Sequence, residues 1–186
     1  LDFEYEWSFR VAVERRVFEN NSVEVSYFGL WNWDDTAVAV SDTNSIQSRY
    51  NDGGVPLAGF SDAYLQSIAY STDFHSAEIN YWVPCDCSCL GAIQLSTCWG
   101  ARYVRISEDF VYSSFSSTAT GRSSTGTDND VVGGHFGWLV TMPMGSRVAL
   151  RWGGKVGIFG NYARQNTTVL TTDLAGTATV VLTEED

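Results

Sequence analysis

Proline is nearly absent from this chain, with 3 residues in 186. Histidine is scarcer still, at 2, and basic residues number 11 against 22 acidic ones. No apolar run approaches the ~18 residues of a membrane helix, and helix formers nowhere cluster at helical spacing. Each shortage excludes something. The net charge of −11 argues against nucleic acid, because phosphate binding needs a basic stripe. It also disfavours electrostatic docking onto anionic lipid. Any membrane crossing must rest on strands. No strand–turn–helix phosphate loop is present, and no Gly-Lys-Ser/Thr follows the glycines. The chain also lacks an initiator Met and a signal-peptide pattern. It begins inside a strand-like segment, so the expectation is a fragment or a processed product.

What is present points to strands. Aromatics make up 14% of the residues, with seven Trp, nine Tyr and ten Phe, and glycine is abundant at 17. This is an all-β composition. Residues 2 to 13 alternate: Phe3, Tyr5, Trp7, Phe9, Val11 and Val13 interleave with Asp2, Glu4, Glu6, Ser8, Arg10 and Ala12. Successive side chains of a strand point to opposite faces, so one side is greasy and the other charged. Soluble strands usually run about 5–6 residues, whereas a tilted strand crossing a bilayer needs roughly 9–11.

The pattern predicts strands at about 2–18, 22–33, 69–82, 94–108, 130–142 and 146–163, with a seventh near 177–183. Between them lie Glu19-Asn20-Asn21, a loop at 34–67, a Cys-rich turn at 84–93, a Ser/Thr/Gly-rich loop at 115–129 and Pro143-Met144-Gly145. Short and long connections alternate, as in outer-membrane barrels. The first strand would then run from outside to periplasm, and at least one strand should precede it. The expected architecture is an all-β, antiparallel up-and-down transmembrane β-barrel. Residues 1–186 form one incomplete barrel domain, with flanking strands on both sides and an even total of at least eight.

Alternation alone also fits a soluble or surface-attached β-barrel module with its apolar face inward. Long strands, alternating connections and aromatics near strand ends favour the membrane version. Phe3, Tyr5, Trp31 and Trp33 would share an outer aromatic girdle; Phe18, Tyr81, Trp82 and Trp138 would share an inner one.

Four segments also resemble a known family. Asn21 to Trp33 (NSVEVSYFGLWNW), Ala77-Glu78-Ile79-Asn80-Tyr81, the run from Trp99 to Glu108 and the run from Gly154 to Asn161 are similar, in order and spacing, to the beta-barrel porin-7 family of planctomycete outer membranes. The resemblance implies a bacterial outer-membrane barrel, and the leading functional expectation is a non-enzymatic one. Its role would be porin-like solute passage or a structural place in the envelope. The Cys85-Asp86-Cys87-Ser88-Cys89 cluster is not a feature of that pattern.

The charged face carries the candidate lumen residues: Glu4, Glu6, Arg10, Glu14, Glu24, Glu78, Arg102, Arg147, Arg151 and Lys155. Charges of both signs can pair there, which lowers the cost of leaving bulk water. Such a face is either a selectivity-setting lumen or a paired polar core, and an eight-stranded barrel has an interior just wide enough to be filled by side chains. Cys85, Cys87, Cys89 and Cys98 are disulfide candidates, and four cysteines allow three complete pairings. Zinc fits less well, because C-x₂₋₄-C spacing is the usual site; free thiols and cross-links to another chain are the other readings. No metal or cofactor is expected. His75 and His135 read as lumen or loop residues, although Asp73, Ser71 and Ser76 near His75 are the ingredients of a hydrolase triad. Glu4 and Glu6 at i and i+2 read as structural. The expected partners are outer-membrane lipid, further copies of the chain or other envelope proteins, and no nucleic acid.

Overall fold

A computed structural model describes residues 7–18, 20–52, 55–85, 93–145 and 147–185. Among these described residues nine strands follow in order: β1 (Ser8–Phe18), β2 (Asn21–Val40), β3 (Asn51–Asp52), β4 (Val55–Pro56), β5 (Ala63–Cys85), β6 (Gln94–Ser116), β7 (Ala119–Pro143), β8 (Ala149–Asp173) and β9 (Ala178–Glu185). Seven form one sheet in the order β1-β2-β5-β6-β7-β8-β9, and β3-β4 is a separate small hairpin. Every pairing is antiparallel, so the main sheet is an up-and-down meander. β5 to β8 run 23 to 25 residues each, several times the usual soluble length. The prolines sit where a ladder tolerates them: Pro56 ends β4, Pro143 ends β7, and Pro84 is next to last in β5.

One expected loop is largely strand and another is shortened. The Ser/Thr/Gly-rich stretch 115–129 continues β6 and β7 up to a turn at residues 117 and 118. Thr is β-branched and strand-compatible, and the neighbouring ladders satisfy its backbone. The 34–67 segment shrinks to a connection at 41–62, because β2 and β5 both extend into it. Connection lengths therefore do not alternate as expected. The asymmetry lies in the strands, which run on past the apolar zone at one end only. Asp2 to Glu6 of the expected first strand lie outside the described residues.

Register assigns the faces. Val13, Val25, Ile79, Ala101, Gly134 and Ile158 form one cross-strand row. Glu14, Glu24, Asn80, Gly100, His135 and Gly157 form the adjacent row, on the opposite face. The apolar row is exposed, with Ile79 at 51%, and Trp99 on the same face reaches 64%. On the polar row Asn80 is 1% exposed, and Ser22, Ser26, Ser76 and His135 nearby are also buried. Side chains from strands two and three apart meet on this polar face, so the sheet curls around it. Polar inside and apolar outside inverts the arrangement of a soluble sandwich.

The convex apolar band on β6 runs from Leu95 to Tyr103. At ~3.4 Å per residue that is about 27 Å along the strand. Polar residues then take over: Arg105, Ser107, Asp128, Asp130 and Arg164 share the convex face beyond the band.

The connection 41–62 folds back over the concave face at the end away from the short turns. Phe60 is fully buried, stacked at 4.7 Å on Tyr50 and 5.9 Å on Tyr112, beside Val169. Gly59, at φ +84°, lies so close to the Thr120 backbone that a Cβ would stand 2.5 Å from it. Glycine is required there for both reasons. Ser48 donates its N–H to the Phe60 carbonyl at 3.1 Å, and Ile46 and Ala63 exchange backbone bonds at 3.2 and 3.0 Å.

Among the described residues the sheet does not close into a barrel. β1 is one edge. At the other, β9 pairs with only Asn166–Thr172 of β8, and the remainder of β8, from Ala149 to Gln165, has no strand beside it on that side.

Candidate functional site

The concave face holds a polar cluster built from five strands, β2 and β5 to β8. Glu78 on β5 is its centre, with its side chain 10% exposed. Lys155 reaches it from β8, three strands away, and Nζ contacts the carboxylate. Asn80 donates its amide to Glu78 and, at 2.9 Å, to Glu24 on β2. Its Oδ1 must then be the acceptor in the 2.7 Å bond with His135 Nε2. That assigns the His135 proton to Nε2 and leaves Nδ1, buried and without a hydrogen-bond partner among the described residues. Arg102 donates Nε to Ser76 Oγ at 2.9 Å and stands 3.9 Å from Glu78. Ser22 donates to Glu14.

Missing side chains make this reach possible. A Cβ on Gly100 would lie 2.3 Å from Asn80 Oδ1 and 2.6 Å from His135 Nε2. A Cβ on Gly137 would meet Cys98 Sγ and Lys155 Cγ, both at 2.8 Å. The two glycines are gaps over which Asn80, His135 and Lys155 cross β6 and β7.

Of the expected lumen residues, the structure gathers Glu24, Glu78, Arg102 and Lys155. Arg10 and Glu14 share their face, and Arg10 joins Ser26, Phe28, Ser76, Glu78, Arg102 and Lys155 around a cleft of about 480 Å³. Arg151 has the right parity but pairs with Thr141 near the short turn, exposed and away from the cluster. Arg147 lies in the 144–148 connection, not on a strand. Glu4 and Glu6 lie outside the described residues. Asn80, Ser76, Gly100 and Gly137 are members that the sequence pattern does not single out, and His135, expected only as a lumen or loop residue, is bonded into the cluster through Asn80.

The aromatic expectations divide. Trp31, Tyr81 and Trp138 are on the convex face. Trp31 stacks on Phe9 at 5.0 Å and packs against Tyr27 and His75 at the outer limit of the apolar band. Tyr27 Oη and His75 Nδ1 are hydrogen-bonded at 2.8 Å. Trp138 lies across Gly154. Two assignments are corrected. Trp82 pairs with Ser22 and Cys98 on the concave face, where Lys155 Nζ sits 5.8 Å from its ring. Trp33 changes face because a bulge between Leu30 and Trp33, with Asn32 at φ 51°, inserts one residue and flips the parity. Phe3 and Tyr5 lie outside the described residues.

Cys85 and Cys98 are both free thiols. Cys85 pairs with Leu95 and Cys98 with Trp82, which places them on opposite faces and out of disulfide reach of each other. Cys87 and Cys89 lie outside the described residues. No group of three metal-ligating side chains occurs among the described residues. The triad ingredients are not assembled: Ser76 faces away from His75, and Ser71 and Asp73 share its face, but His75 Nδ1 is bonded to Tyr27 Oη and Asp73 accepts the Asn32 backbone N–H at 2.7 Å.

Beyond the band, Asp128 accepts from Ser107 Oγ at 2.6 Å and from Arg105 Nη2 at 3.2 Å. Its carboxyl is held below the ordinary range, first by the Ser107 hydrogen bond, against partial desolvation, with help from Arg105. On the other face Tyr112 is pushed up, chiefly by burial under the Tyr50–Phe60 stack.

The cluster offers fixed charge of both signs and no activated nucleophile among the described residues. It can orient, pair with or repel a solute. No protein-family model matches the chain, and no curated protein matches it.

Proposed function

We propose that this sheet is the wall of a bacterial outer-membrane β-barrel, non-enzymatic, with the convex face in lipid and the concave face lining a polar lumen. One observation carries the reading. The exposed convex surface is an apolar band about 27 Å long on β6, edged by Trp31, Tyr27 and His75 at one limit and by the short turns at the other. The opposite face buries Glu78, Asn80 and His135. That is the lipid-out, polar-in pattern of transmembrane barrels.

Unpaired backbone in hydrocarbon costs several kcal/mol per group. The free edges of β1 and β8 are therefore paired in the membrane form, by further strands or by a second copy. Passage of small polar solutes is preferred to a purely structural role, because Arg10, Arg102 and Lys155 line a cleft on the charged face. Single-channel conductance of the full-length protein in planar bilayers tests this. Discrete conductance steps are expected. A protein that stays monodisperse without detergent and never conducts contradicts the reading.

A further inference from the structure

We propose that the concave face carries a binding site for an organic anion, its carboxylate gripped by Arg102 and Arg10 and its apolar body laid against Phe28. The inference rests on the concave face being a solute-accessible lumen and names the solute class for it.

The chain as a whole carries −11, yet the cleft is basic. Arg10, Arg102 and Lys155 line it against one carboxylate, Glu78. That carboxylate is already engaged by Lys155 and Asn80. Arg102 approaches Glu78 only at 3.9 Å; Glu14 and Glu24 lie further along the same face, with Glu24 held by Asn80. Arg102 uses Nε on Ser76, which fixes the plane of its guanidinium. The side chain is still 40% exposed. No ion pair engages Arg10 among the described residues. A guanidinium fork held in this way suits a planar carboxylate, which accepts two parallel N–H donors.

The body of the solute is set by what lies beside the fork. Phe28 lines the cleft and meets Phe74 edge-on at 5.6 Å. Val104 and Ile106 share that face through their pairing with Ser76 and Phe74. An apolar patch beside a cationic fork is left unused by inorganic phosphate and is hostile to a cation. A monocarboxylate with an aromatic or aliphatic body uses both halves.

The test is saturable binding of 4-fluorobenzoate to the full-length protein in detergent micelles, read by fluorine NMR. The neutral isostere 4-fluorobenzamide reports non-specific partition into the micelle. Benzoate is expected to saturate and the amide not to. R102Q and R10Q should each weaken benzoate binding about tenfold or more. Arg10 has no hydrogen-bond partner among the described residues, so R10Q keeps the test valid should R102Q disturb folding. Equal binding of the amide, no saturation by benzoate, or indifference to both variants overturns the site. Conductance measured in parallel separates this from the barrel reading. Conducting protein without saturable benzoate binding overturns the site alone. Arg102-dependent binding by protein that never inserts overturns the membrane reading and supports the site.

Discussion

Gly100 and Gly134 are neighbours on β6 and β7, one place out of register, and their missing side chains point to opposite faces. Replacing each with alanine asks which face is crowded. On the concave side a Gly100 Cβ would lie 2.3 Å from Asn80 Oδ1, 2.5 Å from the Ile79 carbonyl and 2.6 Å from His135 Nε2. Relief requires breaking the Asn80–His135 bond and moving backbone. Stranding those buried groups costs about 1–3 kcal/mol, and overpacking adds about 1–3 kcal/mol. On the convex side a Gly134 Cβ meets nothing nearer than the Gly100 carbonyl at 3.7 Å, an ordinary contact. Losing a strand glycine there should stabilise by about 0.5–1 kcal/mol. Gly100→Ala should therefore fall roughly 2–6 kcal/mol below wild type in urea unfolding from micelles, while Gly134→Ala matches or exceeds wild type. Equal effects, or the reverse order, would refute the assignment of concave and convex faces.

Phe60→Ala should destabilise by about 3–5 kcal/mol and loosen the 41–62 connection, read as faster proteolysis within it. Glu78→Gln and Lys155→Met should each cost about 1–3 kcal/mol, and the double variant should cost less than their sum in a mutant cycle. Asp128 gives a pH dependence. Its folded-state carboxyl is depressed, so its contribution is full above the ordinary carboxyl range and is lost as pH falls through its lower folded value. Ser107→Ala removes the largest cause of that depression. The wild-type advantage over the variant in urea midpoint should be present at pH 6 and shrink towards pH 3.

The strand meander could be read from sequence because Phe9, Val11 and Val13, or Leu95 through Tyr103, alternate over lengths that soluble strands rarely reach. The extended hairpin at 115–129 could not, because Ser, Thr and Gly serve loops and solvated strands alike. Tyr81 and Trp82 are adjacent, so the period of two already forbids them one face; grouping them by position along the strand concealed that. Trp33 needed the bulge at Asn32, which no residue pattern announces. The polar cluster needed register: Asn80 and His135 are 55 residues apart, and only their pairing across Gly100 brings them together. The glycines carried the signal, since curvature and cross-strand reach both require them.

The most direct measurement is the depth and wetness of two tryptophans on adjacent strands. In vesicles containing dibrominated lipid, a variant keeping only Trp99 should be quenched by the lipid bromines and spared by aqueous iodide. A variant keeping only Trp82 should show the reverse. Lipid quenching of Trp82 with iodide quenching of Trp99, or iodide access to both, would contradict a convex lipid face and a polar lumen.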